Sequence, residues 1–87
     1  MGEKIFQHLV SGRSYRVQKE IVDYDRKVHR EGSVYRFVES GFLPYEDGLT
    51  LHFIANGRDV YMRLQWREEQ KAEIIDHLTD YFVQVEN

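Results

Sequence analysis

Asp23, Asp25 and His29 place two carboxylates and an imidazole within one short stretch, and these are residue types that hold divalent cations. Their spacing fits no recognised ligand set. An EF-hand counted from Asp23 needs an oxygen ligand at its fifth position and glycine at its sixth, where Lys27 and Val28 stand. Arg26, Lys27 and Arg30 add positive charge, so the stretch reads as a solvated loop held by Asx turns, with no metal and no cofactor expected. The chain has no Cys, which removes thiolate ligands and disulfides together. His8, His29, His52 and His77 fall on different elements, and no Gly-x-Ser-x-Gly, phosphate-cradling glycine loop or His-Glu-x-x-His pattern occurs. Catalysis needs a nucleophile or acid held against a base, and nothing in the sequence announces such a pair. A non-enzyme is the expectation.

Binding chemistry is better represented. Pro44 limits the freedom of the Phe42–Gly48 loop, so Tyr45 is presented with little entropy left to lose. His52, Tyr61 and Arg63 fall on one face of the hairpin that follows, where they supply aromatic area, hydrogen bonding and a planar charge. Tyr45, His52, Tyr61 and Arg63 are therefore the candidate binding residues. The competing reading folds Tyr45 into the core and leaves the hairpin face as ordinary solvated sheet. The partner class expected is a protein of unspecified identity, met by a binding or inhibitor-like module. An acidic helix face of Glu69, Glu73, Asp76 and Asp80 offers a second docking surface for a basic partner. Single-stranded nucleic acid is an alternative, since the first 38 residues are net basic and carry Tyr24. The whole-chain charge of −3 and pI of about 5.8 argue against it. A small enzyme without a cofactor is a further alternative.

The elements that must position these residues follow from periodicity. Asn56-Gly57 is the dipeptide that best accepts the two positive φ values of a type I′ turn. That turn sets Ala55 opposite Arg58 and pairs Phe53 with Val60, Leu51 with Met62 and Leu49 with Leu64, all apolar. The other face then carries Thr50, His52, Tyr61, Arg63 and Gln65, and a slip of one residue would destroy the sorting. Residues 14–21 alternate Tyr15, Val17 and Ile21 with polar neighbours, giving a strand, and Val22–Gly32 reads as a long loop. Ser33–Ser40 gives a second strand of ambiguous register, with Tyr35 and Phe37 expected to face inward. Ile5, Phe6, Leu9 and Val10 suggest a short N-terminal helix or turn. After Trp66, helix formers and the spacing of Ile74, Ile75, Leu78, Tyr81 and Phe82 predict a helix from about Arg67 to Phe82.

The expected fold is thus α+β: a small, strongly twisted antiparallel sheet of about four strands with a C-terminal helix packed on it. Closure into an SH3-like barrel is left open by the pattern. At 87 residues the chain reads as one domain, 1–87, whose aromatic content of 14% supplies the large side chains that a small core needs. The longest apolar runs are three residues, such as Phe53-Ile54-Ala55, too short to span a bilayer. With no targeting signal in view, the expected location is cytoplasmic and no membrane partner is expected.

Asp23-Tyr24-Asp25 with His29, Glu31-Gly32, Phe42-Leu43-Pro44-Tyr45-Glu46-Asp47-Gly48-Leu49 and Arg63-Leu64-Gln65-Trp66 together resemble a small uncharacterised bacterial domain family, a domain of unknown function. The resemblance runs from about Leu9 to Tyr81. The sequence departs from the pattern at Arg26, where Gly is expected, at Tyr35, where Trp is expected, and at Glu68, where Pro is expected. The first departure falls in the turn of the Asp23 loop, a place where glycine eases the backbone. The resemblance implies a stand-alone domain and brings no activity with it.

Overall fold

The structure is a computed structural model, and it describes residues 4–43, 48–65 and 72–85. A two-stranded hairpin, β1 (Ile5–Phe6) and β2 (Leu9–Val10), is followed by β3 (Ser14–Val17). A second small hairpin, β4 (Ile21–Val22) and β5 (Val28–His29), precedes three longer strands: β6 (Val34–Leu43), β7 (Gly48–Ala55) and β8 (Arg58–Gln65). Two short helices, α1 (Ala72–Asp76) and α2 (Leu78–Tyr81), lead into β9 (Phe82–Gln84). The main sheet is antiparallel and ordered β8-β7-β6-β3-β9, so the described strands end on two different edges and do not close into a ring.

The predicted sheet with one packed helix is not what forms; among the described residues the fold is predominantly antiparallel β with two short helices. Arg67–Lys71 of the expected helix lie outside the described residues. His77 interrupts the remainder at φ −129°, ψ 39° without a side-chain cap, and Phe82 is extended at φ −126°, ψ 120°. The physical reason lies in β3. Its edge needs a partner, and β9 supplies one by pairing Phe82 with Val17, Val83 with Arg16 and Gln84 with Tyr15. β-branched Val83 does little to carry a helix past Tyr81, so strand pairing takes over at Phe82. Ile74, Ile75, Leu78 and Phe82 are all buried as expected, but from two helical turns and a strand.

The N-terminal segment is also a hairpin rather than a helix. Gln7, at φ +53°, turns the chain so that Phe6 pairs with Leu9. The strand expected over residues 14–21 stops at Val17, and Val22–Gly32, expected as a loop, contains β5, which pairs Val28 with Val22 and His29 with Ile21.

The β7–β8 hairpin has the predicted register throughout, from Ala55 opposite Arg58 to Leu49 opposite Leu64, with Asn56 and Gly57 at φ +54° and +76°. Tyr35 and Phe37 point inward as expected. The register ambiguity of β6 is resolved by a bulge between Phe37 and Glu39, which adds one residue and turns Ser40 inward. Phe53 is the hub of the core. Its ring stacks on Phe82 at 5.3 Å and meets Phe37 at 5.7 Å and Tyr35 at 5.4 Å. Each such ring pair contributes about 0.5–1.5 kcal/mol beyond burial itself. Among the described residues no helix is long and apolar enough to cross a membrane.

Candidate functional site

With Leu49, Leu51, Phe53, Met62 and Leu64 buried on one side of the hairpin, alternation sends Thr50, His52, Ile54, Asp59, Tyr61 and Arg63 to the other. The register sets His52 directly opposite Tyr61, and their rings stack at 4.5 Å with planes 14° apart. Asp59, one step along the same face of β8, reaches back so that its Oδ1 lies 2.9 Å from His52 Nε2. The imidazole is thus held on one side by a carboxylate and covered by a phenol ring that remains 48% exposed. The Tyr61 ring is thus stacked on a pinned imidazole and half exposed.

Arg63 lies further along this face. Its Nη1 donates to Asp25 Oδ1 at 3.3 Å, its guanidinium sits 5.7 Å from the centre of the Tyr24 ring, and its carbonyl accepts the Tyr24 N–H at 2.7 Å. The tip of the β4–β5 hairpin is therefore docked on the β8 edge at Arg63. Both charged partners remain substantially exposed, so their ion pair contributes at most about 1 kcal/mol, and the backbone bond fixes the contact. Of the four sequence-predicted residues, the structure joins His52 to Tyr61 and ties Arg63 to Tyr24 and Asp25. Tyr45 lies outside the described residues.

The Asp23–Asp25–His29 cluster is organised differently from expectation. Asp23 and His29 are buried rather than solvated, and Asp25 turns away toward Arg63. Asp23 Oδ2 lies 2.8 Å from His29 Nε2, and His29 Nδ1 lies 3.0 Å from the Tyr35 hydroxyl. The other Asp23 oxygen accepts the Asp25 and Lys27 N–H groups, both at 2.9 Å, which is the expected Asx turn. With Nε2–H donating to the carboxylate, Nδ1 accepts from Tyr35. Burial pushes the Tyr35 hydroxyl above its ordinary pKa, with the Asp23 carboxylate acting in the same direction and a Ser33 hydrogen bond against it. Carboxylate, imidazole and hydroxyl follow one another as in a catalytic triad. Here the order serves a clamp, because both ends of the relay belong to the fold: it fastens the β4–β5 hairpin to β6. Among the described residues no three His, Asp or Glu side chains converge on a point that suits a metal ion.

Reasoning from sequence overlooked three participants. Asp59 was readable from the register, because it sits diagonally across from His52. Arg16 and Arg36 carry no local signal, since only the β3–β6 pairing brings them to the same outer face. An open groove on that face is lined by Ser14, Val34, Arg36, Ile54 and the Asn56-Gly57 turn.

Residues 3–87 match the family model described as a domain of unknown function, DUF3601. No curated protein matches the chain. Among solved structures, an integron cassette protein from the mobile metagenome of Vibrio cholerae superposes with a TM-score of 0.95 at 36% sequence identity, over 97% of this chain and 93% of that one.

Proposed function

The chain belongs to the DUF3601 family, a domain of unknown function, and we propose that it is a non-enzymatic protein-binding module whose partner docks on the outer face of the sheet around Tyr61. The observation that carries this reading is the His52–Tyr61 stack, pinned by Asp59 and half exposed on a face that the core-forming helices do not cover. Tyrosine supplies large amphipathic contact area with few rotatable bonds, and a ring already fixed loses little further entropy on binding. Tyr24, 44% exposed and seated by Arg63, extends the aromatic surface toward the β8 edge. The non-enzymatic part of the reading is supported by burial, because the His29 and Asp23 side chains are shut away from solvent, where a substrate would have to reach them. A cytoplasmic site of action belongs to the same proposal and rests on the sequence.

A photo-crosslinking residue at position 61 tests the reading. The captured protein is identified by mass spectrometry, purified, and titrated against wild type, Tyr61→Ala and His52→Ala. Tyr61→Ala is expected to weaken binding at least about tenfold, equivalent to 1.4 kcal/mol, with the fold retained. A partner that binds Tyr61→Ala as tightly as wild type sinks the assignment.

A further inference from the structure

The outer face carries two arginines without a counter-ion among the described residues. Arg16 on β3 and Arg36 on β6 are both exposed, and among the described residues neither forms an ion pair; Arg16 donates only to the neutral Gln18 side chain, at 3.0 Å. The acids near this face are already engaged: Asp59 with His52, Glu39 with Lys4 and Asp25 with Arg63. Pairing of Ser14 with Arg36 and Arg16 with Val34 makes the two arginines diagonal neighbours across adjacent strands, a spacing of about 7–8 Å. Aliphatic side chains flank them: Val34 beside Arg16 on one side and Val83 on the other, and Ile54 beside Arg36. Val34 is 49% exposed.

We infer that this face binds an extended acidic protein segment with carboxylates two residues apart, one on Arg16 and one on Arg36. The inference rests on the protein-binding reading above and specifies the chemistry of the partner. Residues i and i+2 of an extended chain point the same way and lie about 6.6 Å apart, which matches the separation of the two guanidinium stems. Each guanidinium presents a fork that grips a carboxylate in bidentate fashion. The aliphatic neighbours receive the apolar side chains of such a segment. A polynucleotide is the poorer fit, because the groups flanking the arginines are aliphatic rather than stacking rings, Asp59 closes the Arg36 row, and the chain carries a net charge of −3.

Fluorescence anisotropy with labelled seven-residue peptides tests this. The set holds two glutamates at i,i+1, at i,i+2 or at i,i+3 in a Val/Thr background, a Gln-for-Glu version of each, and the oligonucleotide dT10. The i,i+2 peptide is expected to bind at least about tenfold more tightly than its Gln version, to weaken as salt rises, and to lose that advantage with Arg16→Gln/Arg36→Gln. Circular dichroism confirms that the variant folds, and the single variants Arg16→Gln and Arg36→Gln serve if the double variant does not. Equal binding of all three spacings, tighter binding of dT10, or binding indifferent to both arginines overturns the inference. A crosslinked partner lost with Tyr61→Ala but retained by the arginine variants leaves the docking face standing and removes only its acidic specificity.

Discussion

Arg26→Gly is expected to stabilise the domain. Arg26 adopts φ +65°, in the left-handed region, inside a loop whose backbone bonds run from Arg26 N–H to the Asp23 carbonyl at 2.9 Å and from Asp23 N–H to the Lys27 carbonyl at 3.0 Å. That pair of bonds belongs to a three-residue hairpin loop ending on a left-handed residue, a position that glycine normally fills. A residue with a Cβ is disfavoured there by about 1–2 kcal/mol, whereas glycine loses about 0.5–1 kcal/mol through the greater freedom of its unfolded chain. The difference favours Arg26→Gly by about 0.5–1 kcal/mol. The Arg26 side chain is exposed and, among the described residues, forms no hydrogen bond, ion pair or ring contact that would be missed. For a domain of this size such a gain raises Tm by about 2–8 °C. Urea denaturation at constant m-value and a thermal melt both measure it. Gly32→Ala, at φ +92°, is the control of opposite sign, since nothing crowds the added methyl and only the backbone objects. If Arg26→Gly lowers stability while Gly32→Ala behaves as expected, the strain argument for this loop is wrong.

Leu78 is fully buried, so Leu78→Ala should cost about 2–5 kcal/mol in urea denaturation; a cost below about 1 kcal/mol would place it outside the core. The Tyr35 hydroxyl, held above its ordinary value of 10.0, stays protonated in the folded state at pH values where the unfolded chain ionises. The folded form then binds more protons, so this contribution is intact below pH 10 and is lost as pH rises through the folded pKa. Alkaline melts should therefore fall more steeply for wild type than for Tyr35→Phe, and parallel curves would dismiss the effect.

The hairpin was legible because two local signals agree: Asn56-Gly57 selects the turn, and the apolar pairs from Phe53–Val60 to Leu49–Leu64 tolerate one register only. Its outer face, with His52 and Tyr61, followed from the same register. The C-terminal segment was misread because Ile74, Ile75, Leu78 and Phe82 meet the core equally well from one helix or from two turns and a strand. What decided between them was the bare edge of β3, a demand made more than sixty residues away. Ile5, Phe6, Leu9 and Val10 similarly fit a helical spacing, yet Gln7 turns the chain back on itself. The clamp was hidden for a related reason. Asp23 and His29 look like loop residues until the β4–β5 hairpin folds against β6 and brings the Tyr35 hydroxyl to the imidazole. Tyr35 stands where the resembled family has Trp, and an indole N–H would offer Nδ1 the same donor.

The placement of β9 sets the order in which the fold can be completed during synthesis. Until Phe82–Gln84 leave the ribosome, β3 keeps one edge unpaired and Phe53 lacks the ring on which it stacks. The contacts that secure the first hairpin wait for the same moment: Gln7 Nε2 donates to the Ile75 carbonyl at 2.9 Å and His8 Nε2 to the Phe82 carbonyl at 2.7 Å. The β7–β8 hairpin, whose pairings are local, is free to form early, whereas the sheet order cannot be completed before Phe82–Gln84 have emerged. A nascent chain stalled before Phe82 would hold a half-built sheet with an adhesive edge, a state that favours pairing between neighbouring chains on one message.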